Sequence, residues 1–121
     1  MQPADVVEEA PRRTAAKKAR SEEFDVYFAA GSAAVTGAPL GEVARLVNYL
    51  RRNPSATVTL AGYVSGGENR ALARRRVDVV RGLLVSRYGI EARRIHATAY
   101  GIAYFSPLPA KNRVVVAHAG E

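Results

Sequence analysis

Cysteine and tryptophan are absent from this 121-residue chain, methionine occurs once and histidine twice. Without thiols there is neither a disulfide framework nor a thiolate zinc site. His96 and His118 fall on separate expected strands with no carboxylate at ligand spacing, so no metal and no cofactor is expected. Long apolar runs are missing too, far short of the roughly 20 residues that cross a bilayer, so the chain carries no transmembrane segment. The opening "MQPADVVEEAPRRTAAKKARSEE" has no apolar stretch after a basic start, so no secretory leader is legible. No Ser/His/Asp constellation, paired catalytic acids, Walker ending or GxGxxG pattern occurs, and the expectation is a protein that is not an enzyme.

The composition that is present is ordinary for a globular domain, 48% apolar and 24% charged. Eighteen basic residues against eleven acidic ones leave a net charge of +7. Residues 1–21 hold five of the basic and three of the acidic side chains, so most of the excess belongs to the remainder. That balance favours anionic partners. Residues 1–22 combine Ala, Glu, Lys and Arg with two prolines and read as a flexible tail or linker, leaving 23–119 as the domain.

Phe24, Val26 and Phe28 alternate with Asp25 and Tyr27, the period of a strand with one buried face. Val43, Leu46, Val47 and Leu50 are spaced for an amphipathic helix that Asn53-Pro54 stops. "ATVTLAGY" is a second strand. After "SGGE", Asn69 is placed to cap a helix running to about Tyr88, with Gly89 ending it. "RRIHATAYG" and "RVVVAHA" read as the last two strands, separated by a proline-interrupted loop. The order β-α-β-α-β-β makes an α+β two-layer sandwich, with two helices on a mixed four-stranded sheet.

The second helix begins with three consecutive arginines, Arg74 to Arg76. On a helical wheel Arg70, Arg74 and Arg81 share a polar face, and Arg75 lies to one side. Arg76 instead falls between Leu83 and Val80, inside the apolar arc formed with Leu72, Ala73, Val77 and Leu84. An inward guanidinium must snorkel to the surface, pair with Asp25, Glu42 or another internal acid, or reach an external anion. The aromatics Tyr27, Tyr63, Tyr100, Tyr104 and Phe105 look scattered, with no base-stacking pair on neighbouring strands, and nucleic acid is disfavoured as a partner.

In order along the chain, "FDVYFAAGSAAVT", "LVNYLRRNPSATVTLAGYVS", "NRALARRRVDVVRGLLVSRYGIEARRIHATAYG" and "AKNRVVV" resemble the OmpA-like C-terminal domain, a family shared by Pal lipoproteins and the flagellar stator protein MotB. The likeness covers residues 24–117. Its most specific pieces are the Asn-Pro helix end before "TVTLAGY", the "NRALARRR" helix start and the "KNR" entering the last strand. The resemblance implies a non-enzymatic cell-envelope domain that binds peptidoglycan. It implies a location on the periplasmic side, tethered to the outer membrane through a region outside this chain, with other envelope proteins as further partners.

The resemblance also assigns a ligand site. Arg76 takes the position of the arginine that holds the carboxylate of the stem peptide's diaminopimelate. Ser65 stands where the family has an aspartate for the ammonium group. Tyr63, Asn69, Asn112 and Arg113 complete the set. Ser65 cannot pair with an ammonium, and the loop Ser65 to Asn69 is shorter than in typical members. "FAAGS" replaces an acidic first loop, and Ala73 replaces a serine. Losing one charge-assisted contact weakens binding roughly 10- to 100-fold. The resemblance therefore implies that diaminopimelate recognition is weakened or altered, or that the domain has become a structural or protein–protein interaction module.

Overall fold

The structure, a computed structural model, describes residues 21–121. The assignment of residues 1–22 to a tail therefore lies, up to residue 20, outside the described residues. Strand β1 (Glu22–Tyr27) is followed by helix α1 (Ala38–Arg52), β2 (Thr57–Val64), α2 (Ala71–Gly82), β3 (Ile95–Ile102) and β4 (Val114–Gly120). Two helices pack on a four-stranded sheet of order β1-β4-β2-β3, as the sequence pattern indicates. β4 runs antiparallel to both β1 and β2, while β2 and β3 are parallel, so the sheet is mixed.

The alternation read from the sequence sets the two faces. Phe24, Val26, Val58, Leu60, Val115, Ala117 and Ala119 are buried towards the helices. They meet Val43, Leu46, Val47 and Leu50 of α1 and Val77 and Val80 of α2 in one core. α1 ends where the Asn53 amide and backbone N–H both donate to the Tyr49 carbonyl, at 2.9 and 3.0 Å. Arg94 reaches this end from outside, donating to the carbonyl of Leu50 in the last turn and to those of Asn53 and Ala56 just beyond it, at 2.8–2.9 Å. Two of the arginines behind the high net charge thus close helix ends, since Arg51 likewise donates to the Tyr88 carbonyl.

The second helix departs from the expected single run to Tyr88. It is α-helical to Gly82, then widens into a π turn over Leu83–Arg87, closed by a Tyr88 N–H bond to the Leu83 carbonyl of 3.2 Å. Gly89 then turns with φ of 71°, a left-handed conformation that favours glycine. Leu83, expected on the apolar arc, is only half-buried where the wider turn begins, whereas Leu84 is fully buried.

α2 and β2 approach each other unusually closely at Gly62. A Cβ placed there would lie 2.7 Å from the Ala73 carbonyl oxygen and would collide with Val77. The glycine therefore sets how deeply the start of α2 sits on the sheet. Gly62→Ala forces the helix outward, and overpacking of this kind costs roughly 1–3 kcal/mol. A chemical denaturation series on Gly62→Ala should show that loss; an unchanged midpoint would mean the helix moves away freely.

Candidate functional site

β1 and β2 are both antiparallel to β4, so they run the same way and their carboxyl ends meet on one side of the sheet. Two loops leave there, residues 28–37 towards α1 and residues 65–70 towards α2. Arg76, in the second turn of α2, reaches between them. Its helix has no polar capping side chain at its first position, Arg70. Asn69 supplies the cap one residue earlier, its Oδ1 accepting the Ala71 N–H at 2.8 Å.

Arg76 is completely buried, as its place on the apolar arc requires. Its partner is neither Asp25 nor Glu42 but Glu68, in the short loop after β2. The two side chains form a bidentate pair, Nη1 to Oε1 at 2.9 Å and Nη2 to Oε2 at 2.7 Å. Nε donates to the Ser32 carbonyl at 2.8 Å, Nη1 also to the Tyr63 carbonyl at 3.1 Å, and Nη2 also to the Ala29 carbonyl at 3.2 Å. A guanidinium has five N–H donors, and these contacts occupy all of them. The ring of Phe28 lies 5.2 Å from its central carbon, adding a cation–π contact.

Glu68 is held as completely as its partner. Besides Arg76, its Oε2 accepts the Gly31 N–H at 2.7 Å and its Oε1 the Ser65 N–H at 2.9 Å. One carboxylate thus ties the first loop, the end of β2 and α2 together. Burial by itself would raise its pKa. The hydrogen bonds from Arg76, Gly31 and Ser65, with the arginine charge, outweigh burial and lower it from 4.5 to about 2.

Of the other residues assigned by resemblance, Ser65 and Asn69 stay beside the pair, whereas the side chains of Tyr63 and Asn112 are engaged elsewhere. Ser65 is buried and contributes its backbone N–H and carbonyl, the latter accepting the Glu68 N–H at 3.1 Å. Tyr63 gives Arg76 its carbonyl, but its ring lies on the opposite face of the sheet, stacked on Tyr100. Asn112 is buried and its amide is engaged with both backbone groups of Ser106, at 2.9 and 3.1 Å, pinning the loop before β4. Arg113 joins the site through its backbone, its carbonyl accepting the Phe28 N–H at 2.8 Å, while its Nε is buried with no hydrogen-bond partner. Beside Glu68 an open depression of about 520 Å³ is lined by Gly31, Gly67, Asn69, Leu72 and Arg75.

Another cavity lies elsewhere, on the sheet face that carries no helix. About 620 Å³ is bounded by Asp25, Tyr27, Tyr63, Tyr100, Phe105 and Lys111 among others. Here the structure corrects the reading of the aromatics as scattered. A register shift after Gly62 leaves Tyr100 as an extra residue between Ala99 and Gly101. Its ring therefore lies against that of Tyr63, with centroids 5.5 Å apart, and Phe105 meets Tyr63 edge-on at 4.8 Å. Nearby, burial is the main reason Asp25 is raised from 3.8 to about 6. Glu23 and Glu42 add to this, and His118 opposes it.

Among the described residues no group of three or more His, Cys, Asp or Glu side chains is arranged to hold a metal ion, and no helix is long and apolar enough to cross a membrane. A protein-family model described as the OmpA family matches residues 27–107. Outer membrane porin F of Pseudomonas aeruginosa is 28% identical over 103 residues, covering 82% of this chain and 29% of that protein. The chain thus spans well under half the length of this relative. The OmpA-like domain of FopA1 from Francisella tularensis superposes with a TM-score of 0.72 at 19% identity, over 83% of this chain and 73% of that one. The cell wall anchor of the T6SS from Pseudomonas aeruginosa gives 0.68 at 21% identity, over 84% and 82%. The peptidoglycan-associated lipoprotein from Burkholderia pseudomallei gives 0.60 at 21% identity, over 80% and 86%. At these identities the three structures establish the fold.

Two pH windows follow from the shifted acids. Glu68 has a folded pKa below its ordinary 4.5, so its stabilisation is complete above that value and is lost as pH falls towards about 2. Breaking the buried pair by Glu68→Ala should cost about 3–5 kcal/mol near neutrality. The variant's loss should shrink as the pH is lowered through that window. Asp25 has the opposite sign: its folded pKa exceeds 3.8, so stability declines as pH rises from there through about 6. Asp25→Asn should flatten that decline in urea titrations at pH 4 to 7, and an unchanged slope would assign the trend to other groups.

Proposed function

The chain belongs to the OmpA family, and from that premise we propose that it is a non-enzymatic cell-envelope domain that associates with peptidoglycan, with its diaminopimelate recognition weakened or altered. The domain works on the periplasmic side, tethered to the outer membrane by a region outside this chain. The observation that carries the reading is the set of donors around Arg76. Two guanidinium N–H groups and the backbone N–H groups of Gly31 and Ser65 converge on one carboxylate beside an open depression. Such a convergence, at the start of a helix and the carboxyl end of a strand, is suited to recognising an acidic group of a stem peptide.

Solved relatives of the same fold include a protein described as a cell wall anchor and another described as peptidoglycan-associated. These descriptions support the same ligand class for this domain. Ser65 supplies no charge for the ammonium group of a zwitterionic residue, which accounts for the weakened recognition. The exposed Arg75 on the rim of the depression adds attraction for the anionic wall.

A second reading has one specific observation in its favour: Arg76 already has all its donors satisfied within the chain. In that reading the fold serves as a structural or protein–protein interaction module of an envelope assembly.

Co-sedimentation with purified sacculi at about 0.15 M salt, where surface charges are largely screened beyond a Debye length, separates the two. The peptidoglycan reading expects the wild-type domain in the pellet above background, with less retained for Arg75→Glu. A wild-type domain left in the supernatant would move the assignment to the interaction module.

A further inference from the structure

We propose that Glu68 is the specificity-determining residue of the Arg76 site: an internal carboxylate that fills a complete carboxylate-binding cradle and must be displaced before an acidic ligand can enter. The inference rests on the reading of Arg76 as a ligand-binding position, and it names what controls access to it.

The five contacts of Arg76 are not equivalent. Three go to backbone carbonyls, of Ala29, Ser32 and Tyr63, fixed by β2 and by the first loop. The other two go to Glu68, a side chain that can rotate away. Only these two donors can be released to a ligand without rebuilding the backbone. The Gly31 and Ser65 N–H groups are released by the same movement, because Glu68 holds them too. Four donors then face a single vacated carboxylate position.

The position is also reachable. The Glu68 side chain keeps 9% of its surface exposed whereas that of Arg76 keeps none. Glu68 lines the 520 Å³ depression, so it stands between solvent and the guanidinium. Its loop contains Gly66 and Gly67, the latter at φ of 91°, with open space around both. The loop backbone on either side of those glycines is therefore free of packing that would resist a change in its path.

A tethered carboxylate competes at a high effective concentration, so an external carboxylate of equal chemistry is excluded unless it brings further contacts. The site consequently rejects simple acids and admits a ligand whose carboxylate is one of several anchoring groups, as in a peptide linked to a glycan strand. Net charge follows the same logic. With Glu68 in place the pair is neutral, and only Arg75 offers an unpaired positive charge among the residues lining the depression.

Removal of the internal acid should convert the site into an open receptor. Glu68→Gly should melt below wild type and recover several degrees on addition of sodium formate or acetate at about 0.1 M, a mass-action effect of binding to the native state. Sodium chloride at the same ionic strength should not restore it, and wild type should respond equally to all three salts. A diaminopimelate-containing tripeptide should bind Glu68→Gly at least about tenfold more tightly than wild type. Glu68→Asp, which keeps the charge on a shorter arm, should bind it with intermediate affinity, and it provides the reading if the glycine variant does not fold.

A folded Glu68→Gly with no carboxylate-specific gain overturns the proposal, as does equal tripeptide binding by wild type and Glu68→Asp. Sacculus co-sedimentation is scored separately. Failure of wild type to sediment, with formate rescue intact, would remove the peptidoglycan reading and leave the cradle standing.

Discussion

The pairing of Arg76 with Glu68 is the constraint on which this end of the molecule depends. A guanidinium with no exposed surface cannot be left unpaired, because an isolated buried charge costs several kcal/mol. The chain meets that requirement by bringing three segments to one point. The first loop contributes the Ala29 and Ser32 carbonyls and the Gly31 N–H, β2 and the residue after it the Tyr63 carbonyl and Ser65 N–H, and α2 the arginine. Large apolar anchors are few in those loops, Phe28 and Val35 in the first and none in residues 65–70. The ion pair does there what Phe24, Leu46, Leu60 and Val77 do in the core.

Under the proposal, that arrangement gives binding and stability the same atoms. A carboxylate in the cradle completes the local fold whether it belongs to the chain or to a ligand, since the donors are indifferent to its source. On the proposed reading of Arg76 as a carboxylate-binding position, an acid in the loop after β2 is a simple route to a closed site. The route needs a short loop with glycines, which lets the backbone turn back towards the helix. "SGGEN" has both features.

The opposite face of the sheet is organised by a different constraint. The outward residues of β1, β2 and β4 alternate by register, but the shift after Gly62 breaks the count on β3. Tyr100 is thereby turned beside Tyr63, and the loop pinned by Asn112 brings Phe105 onto the same ring. Tyr63 and Asn112, two of the positions that the family resemblance assigns to the ligand, help to organise this face through their side chains.

Much of this was legible in the residues. Periods of two and of 3.6 gave the strands and helices, because each element has one buried face and the pattern of burial is local. The inward direction of Arg76 was legible for the same reason, and so was the need for a partner, since desolvation is a property of burial alone. Gly62 lay within a recognisable strand motif, though its role in the approach of α2 was not visible. What the sequence could not supply was the identity of the partner. Asp25, Glu42 and Glu68 are all acids within reach of some fold, and only the meeting of two loops at the carboxyl ends of β1 and β2 selects Glu68. The same holds for the Tyr63–Tyr100 stack, which depends on one unpaired residue in a register. Local patterning thus determined what must be inside, and tertiary structure decided which groups met there, because contacts between distant segments are set by topology and not by spacing along the chain.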